Sequence, residues 1–560
     1  MGIALLLLTL VLPLAACDGL GIIINAAAVY GTDRPAPGGD RPTDPTGPTP
    51  DPEATFSGVW ITSLGDDRIG PEAGTGNNQY AIRIELRQAG TEITGAGIMI
   101  RSQRFGAFAI DNPPVDIRVS GSASGDDAAI TISSVVGSDL PFPQEWILRL
   151  TGNRIVGVFA STTLSDSLVR SGHTIWYAAA NASAADTWVA AFGDATAVAS
   201  VGREVRTGVV SIARDELGDL TGSGSFIVQS TSASDRKAGT TQDFNVVRGN
   251  QTNGDVGFTF GALNLTNREI DWFGFVTDDV LAVAYAQFNA DNALTQLGHS
   301  PWYRSSAVVP TNINHTWVTS FKDIVISDAA LARGRRISDY LVNMTLTAQD
   351  GNVITGSGTI KDEGGYFDLD DSTFPDTSEL RVENGVIIGS RIALDLVGPQ
   401  VRMVWDLRLG SGILVGTYEM FNGVGQFISS GAAEWRISTT PNLVGTWAVA
   451  YFDTLNTVEP EITQLAIVTI ATQDDEGFLS GVGSLRFADT GQRRTFNVLG
   501  EVTGIDGQWI WRGADLFGDT TWNIHQAGNV VVGTYTNDTS SGGVESKGHG
   551  LWLRANVNQP

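Results

Sequence analysis

The sequence predicts an all-β chain of four tandem antiparallel up-and-down β-barrel domains of about 125 residues each, with two-sheet β-sandwiches as the alternative. Three observations predict it. Tryptophans recur with one fourfold spacing, short β-forming segments alternate with tight turns, and no stretch sustains a helical period with caps.

Twelve of the 14 tryptophans fall into three families. The opening ones, Trp60, Trp188, Trp317 and Trp447, stand at nearly equal intervals, each longer than the last by a single residue. The middle ones are Trp146, Trp272, Trp405 and Trp522. The closing ones, Trp176, Trp302, Trp435 and Trp552, follow their middle partners at an interval identical in all four copies. Each unit also carries a small-residue pair: Gly95 and Gly97, Gly222 and Gly224, Gly356 and Gly358, Gly481 and Gly483. An aromatic follows each middle Trp at another fixed interval: Phe159, Tyr285, Tyr418 and Tyr535. Two residues before it stands Gly157, Gly416 or Gly533, with Val283 in the second copy. Solenoid units repeat at roughly 20–50 residues, so this longer period marks whole domains. The repeats are placed at 55–180, 183–307, 312–439 and 441–557.

The fourth copy gives the strands. Segments 446–452, 464–471, 478–487, 494–502, 508–512, 521–526, 529–536 and 550–554 are rich in β-formers, and 464–471 alternates only in part. Ala527-Gly528-Asn529 predicts a tight hairpin. The best helix candidate is 326–336, an insertion in the third copy. Eight sequential strands can close as a barrel, which removes unpaired edges. Closure puts the opening and closing Trp on neighbouring strands, as an aromatic pair across the seam.

Gly58-Val59-Trp60 and Gly445-Thr446-Trp447 on first strands, the Gly-x-Gly pair and a Trp on the last strand resemble the calycin group, the lipocalins and avidins. Copies two and three depart from it with Asp186-Thr187-Trp188 and His315-Thr316-Trp317. The lipocalin likeness implies a basic residue over the first-strand Trp. Arg304 and Arg554 can supply it; Ala178 and Ile437 cannot. It also implies an apolar ligand cup, while no biotin-site residue carries over from the avidins.

Residues 3–16 are apolar but too short for a bilayer span of about 20 residues. They end in Leu14-Ala15-Ala16-Cys17, which resembles the bacterial lipobox, although residues 2–16 hold no Lys or Arg. The resemblance implies a signal peptide over 1–17 and lipidation of Cys17, the sole cysteine. A plain secretory signal is the other reading. Asp18 resembles an inner-membrane retention signal. Residues 18–54 form a tether, Pro-rich over 34–52 and therefore semi-rigid.

Composition narrows the function. Lys+Arg is 35 against 61 Asp+Glu, and a formal charge of −26 disfavours nucleic acid as a partner. One Cys excludes an intrachain disulfide and a Cys-rich metal site. Three of the five His occupy one repeated place, His173, His299 and His549, each three residues before a closing Trp. They are candidate ligand or packing positions, without the ligand set a metal needs. Trp509 and Trp511, outside the three families, are the other candidate ligand or packing residues. The acidic run Asp368–Asp376 lacks the spacing of a calcium loop. Asp66-Asp67 and Asp278-Asp279 read as surface loop carboxylates. No Gly-x-Ser-x-Gly, His-Glu-x-x-His or P-loop motif occurs.

The sequence therefore predicts a lipid-anchored cell-envelope repeat protein, non-catalytic, with a structural or interaction role. The alternative is a binder of small apolar ligands inside lipocalin-like barrels. No cofactor or metal is expected. The expected partners are the membrane, through N-terminal acyl chains, and an unidentified protein or small apolar ligand. The expected location is the outer membrane or the periplasmic face of the inner membrane of a bacterium.

Overall fold

Alternation sets an inner face on each strand. Along Gln79–Ala89, Tyr80, Ile82, Ile84 and Leu86 are all buried and belong to one core. The computed structural model describes residues 55–555 except 70–76, 103–113, 137–142, 164–166, 180–181, 198–201, 231–239, 253, 263–268, 290, 292–293, 307–312, 334, 336, 350–351, 364–376, 457–462, 514–517 and 539–543. Cys17, the tether and Asp368–Asp376 lie outside the described residues.

The chain forms four closed antiparallel barrels, spanning Gly58–Gly65 to Leu168–Ala178, Asp186–Gly193 to Leu294–Arg304, Thr316–Lys322 to Phe427–Ile437 and Gly445–Phe452 to Val544–Ala555. In each, consecutive long strands are neighbours and the first pairs with the last. The first strand also breaks: a two-residue continuation such as Arg68–Ile69 pairs with the last strand further along.

The Gly pairs allow the second and third strands to approach closely. A Cβ on Gly97 would lie 2.1 Å from the Arg83 carbonyl oxygen, and one on Gly358 would lie 2.0 Å from that of Asn343. Gly528 has φ +62° in the two-residue turn joining Ala527 to Val530. The helix of the third copy is only Asp328–Ala332, capped by the Ser327 side chain accepting from the Ala330 N–H.

Aromatic rings fill the interiors. Each middle Trp pairs across strands with the aromatic of the next strand, Phe159, Tyr285, Tyr418 or Tyr535, with ring centroids 4.9, 4.7, 5.0 and 4.7 Å apart in barrels one to four. Each closing Trp stands edge to face with its middle Trp at 5.2, 5.2, 5.1 and 5.0 Å. Each opening Trp donates its indole N–H to the carbonyl four residues earlier, at 2.9, 2.8, 3.1 and 2.7 Å. The expected aromatic pair across the seam is replaced by this arrangement. Seam register sets each opening Trp opposite the residue two beyond the closing Trp: Ala178, Arg304, Ile437 or Arg554. The guanidinium of Arg304 accordingly lies 5.3 Å from the Trp188 ring, and that of Arg554 lies 5.2 Å from Trp447. Trp509 and Trp511 are buried in the fourth core, where Trp511 stacks on Phe496 at 4.4 Å.

Outward apolar residues join the barrels. Ile61 and Ala81 of the first meet Phe275 and Ala282 of the second. Val189 and Val280 of the second meet Ile413 and Val415 of the third. Val318 and Leu341 of the third meet Val532 of the fourth. Val156 and Val158 of the first meet Ala448 and Leu465 of the fourth. In every junction the second long strand of one barrel lies against the last two long strands of the next, and the fourth barrel returns to the first. Four like contacts therefore close a head-to-tail ring.

Candidate functional site

The ring brings the four closing strands together. Gly172, Gly298, Gly431 and Gly548 face inward against the aromatic of the middle-strand pair: a Cβ there would come within 2.5, 2.5, 2.8 and 2.7 Å of Phe159, Tyr285, Tyr418 and Tyr535. Strand alternation then turns the next residue outward. That residue is His173, His299, Ala432 or His549, and all four line one cavity of about 430 Å³. The residues two positions on, Ile175, Pro301, Glu434 and Leu551, line it too. So do Ser63, Ala191, Ser320 and Ala450, each three residues past an opening Trp. The cavity thus takes equivalent positions from every barrel.

Each histidine is held through its ring Nδ1. His173 meets Asp67 Oδ2 at 2.5 Å within its own barrel. His299 reaches Gln79 Oε1 of the first barrel at 2.7 Å, and His549 reaches Asp339 Oδ1 of the third at 2.7 Å. Burial pushes the His299 pKa down to about 4; His173 adds to this and Asp67 opposes it. Among the described residues no group of three or more His, Cys, Asp or Glu is placed to hold a metal ion. Glu434 accepts from the Tyr303 hydroxyl at 2.6 Å and pairs with Arg436 at 2.9 Å, so its charge is already matched.

A second recurring feature lies where each first strand ends. Asp66, Asp194, Asp323 and Asp453 each follow an opening Trp by six residues and are buried. Asp66 accepts from Tyr80 and pairs with Arg170. Asp194 accepts from Tyr285 at 2.6 Å and pairs with Arg206 at 2.9 Å. Asp323 accepts from Tyr418 at 3.0 Å and pairs with Arg335 at 2.8 Å. Asp453 accepts from Tyr535 and, at 3.2 Å, from Gln464. Burial raises the Asp66 pKa to about 6, against the pull of Arg170, and raises that of Asp194 against Arg206. The reading of Asp66 as a surface carboxylate is corrected. The strand break tucks it inward, where the Asn78 N–H donates to it at 2.8 Å. Sequence reading missed this set although its spacing from the opening Trp is constant. Each carboxylate ties a Tyr or Arg to the first strand and acts as a polar seal.

The fold and the junction define a class: an all-β protein built as a ring of four filled barrels. No protein-family model matches the chain, and no curated protein does. Several solved structures resemble it. A protein of unknown function of the DUF3598 family from Nostoc punctiforme is 13% identical, with a TM-score of 0.15 over 44% of this chain and 96% of its own. A transferrin-binding protein B double mutant from Haemophilus parasuis is 11% identical, with a TM-score of 0.18 over 88% and 98%. Isotype 1 transferrin-binding protein B from serogroup B Neisseria meningitidis is 8% identical, with a TM-score of 0.19 over 90% and 100%. With TM-scores below 0.2, these likenesses carry nothing about what this chain binds.

Proposed function

We propose that this chain is a lipid-anchored protein of the bacterial cell envelope, held at Cys17 and working through its outer surface in a structural or interaction role without catalysis. The observation that carries the reading is the filling of all four barrels. The middle and closing Trp of every barrel are at most 1% exposed and in ring contact with each other. Eight-stranded barrels are just wide enough to be filled by their own side chains. That packing weighs against an apolar ligand cup and leaves the junctions and outer faces as working parts. The Leu14-Ala15-Ala16-Cys17 sequence and the Pro-rich stretch after it support an anchor with a spacer.

The test has two arms. Metabolic labelling with palmitate and membrane fractionation should show a labelled, membrane-bound protein that Cys17→Ala makes unlabelled and soluble. Titration of the full chain with a fatty acid should leave Trp fluorescence unchanged. Unmodified Cys17 in the membrane-bound protein would overturn the anchor. A saturable fluorescence change with a matching rise in Tm would overturn the filled-barrel reading.

A further inference from the structure

We propose that the cleft between the first and fourth barrels binds an acidic saccharide, its acid group held by Arg493 and its hydroxyls by the polar outer face of the fourth barrel. The cleft has a volume of about 580 Å³ and, among the described residues, takes Asp127 and Arg149 from the first barrel and the rest of its lining from the fourth. That size lies within the roughly 300–1,000 Å³ of small-molecule sites, far more than a bare inorganic ion fills.

Charge is concentrated there against the trend of the whole chain, which is −26 with only 35 basic residues. Among the described residues, three arginines line the cleft and one carboxylate does. A fourth, Arg486, stands directly opposite Arg493 on the neighbouring strand. Like charges in that relation destabilise a sheet. Asp127 relieves part of the repulsion, at 3.1 Å from Arg149 and 3.6 Å from Arg486. Arg149 is further held by Asp126 at 3.1 Å. Arg512 is held at 2.9 Å by Asp519. Arg493 has no ion pair among the described residues, and it is exposed, as is Arg512. Burial and the fields of Arg493 and Arg149 lower the Arg486 pKa, with Asp127 opposing. An incoming anion would relieve the repulsion that Asp127 leaves.

The remaining lining selects the body that carries the acid. Thr469, Ser484, Thr495 and Asn497 line the cleft from three adjacent strands of the fourth barrel. Hydroxyls and an amide both donate and accept, which suits a body rich in hydroxyl groups. Ile467 and Val482 lie among them and give the ring of a sugar an apolar floor. A guanidinium fork matches either a carboxylate or a phosphate.

Isothermal titration calorimetry on the full-length chain tests this with glucuronate, glucose 6-phosphate, glucose and inorganic phosphate. At least one acidic sugar should bind about tenfold or more tightly than both glucose and inorganic phosphate, as one charge-assisted contact implies. A galacturonate trimer compared with galacturonate separates a glycan chain from a free sugar acid, and binding of either supports the site. Arg493→Gln should weaken binding about tenfold while leaving Tm unchanged, because the side chain is exposed. The proposal is overturned if no acidic sugar binds, if inorganic phosphate binds as tightly as the sugar acids, or if Arg493→Gln leaves affinity intact.

Discussion

Trp522 and Trp552 meet edge to face, ring centroids 5.0 Å apart and planes at 77°, although a whole strand separates the strands that carry them. Gly533 on that intervening strand lies close under the pair: a Cβ there would lie 3.2 Å from the Trp522 ring and 2.9 Å from the Asn523 carbonyl. The same pair in all four barrels makes it the centre of the repeat. Trp552→Ala is therefore expected to cost the structure about 3–5 kcal/mol. Urea unfolding followed by far-UV circular dichroism measures it, and a loss below about 1 kcal/mol would show that the pair is not central.

Close packing between the second and third strands gives a second expectation. Gly358 sits against the Asn343 carbonyl and the Met344 Cα, so Gly358→Ala forces backbone to move. A loss of about 1–3 kcal/mol is expected. Gly389, at φ +62° with open space where its Cβ would stand, is a control turn position in the same barrel, where strain comes from the backbone alone.

Two buried groups bend stability with pH in opposite senses. The folded pKa of Asp66, about 6, exceeds its unfolded value of 3.8, so its contribution is complete below about 4 and is lost as pH rises through 6. His299 falls to about 4 from 6.5, so its contribution is complete above 6.5 and is lost as pH falls towards 4. Asp66→Asn should therefore make stability rise more steeply from pH 4 to 6, and His299→Gln should make it rise less steeply. Denaturation midpoints at half-unit pH intervals read both slopes, and equal slopes in wild type and variants would contradict the assignment.

Independent folding of the fourth barrel follows from its closed sheet. Residues 441–557 alone retain every ladder from Gly445–Phe452 to Val544–Ala555 and one continuous core. The fragment should melt cooperatively yet self-associate, because Ala448, Leu465 and Val532 lose the neighbours that cover them. Sedimentation and calorimetry check both; a disordered fragment would mean that the barrels fold only together.

The strand order and the interiors were legible because large residues at constant spacing can serve only one inner face. Segment 478–487 of the fourth copy matches the strand Phe478–Phe487, and the Gly-x-Gly pairs mark real close approaches. The ring was not legible. Its contacts use outward apolar residues such as Val156, Val158 and Leu465, which blur the alternation they sit in. Arg154–Thr162 is buried on both faces and reads as one apolar run, and 464–471 alternates only in part because Leu465 faces the first barrel. The recurring histidines were visible in sequence, but their meeting place depends on ring closure. Asp66 looked like loop charge because carboxylates are mostly exposed; only the constant distance from the opening Trp marks it and its three counterparts as a set.

Closure of the ring is the central claim, and cutting the chain tests it most directly. A protease site inserted between Val308 and Val309 separates the first two barrels from the last two. The halves should then be held by two junctions alone, Val189 and Val280 on Ile413 and Val415, and Val156 and Val158 on Ala448 and Leu465. Across the second junction Ser171 Oγ also meets Thr463 Oγ1 at 3.0 Å. After complete cleavage, size-exclusion chromatography with light scattering should still give one particle with the mass of the whole chain. Separation into two half-mass species would contradict the ring and leave four barrels strung along a chain.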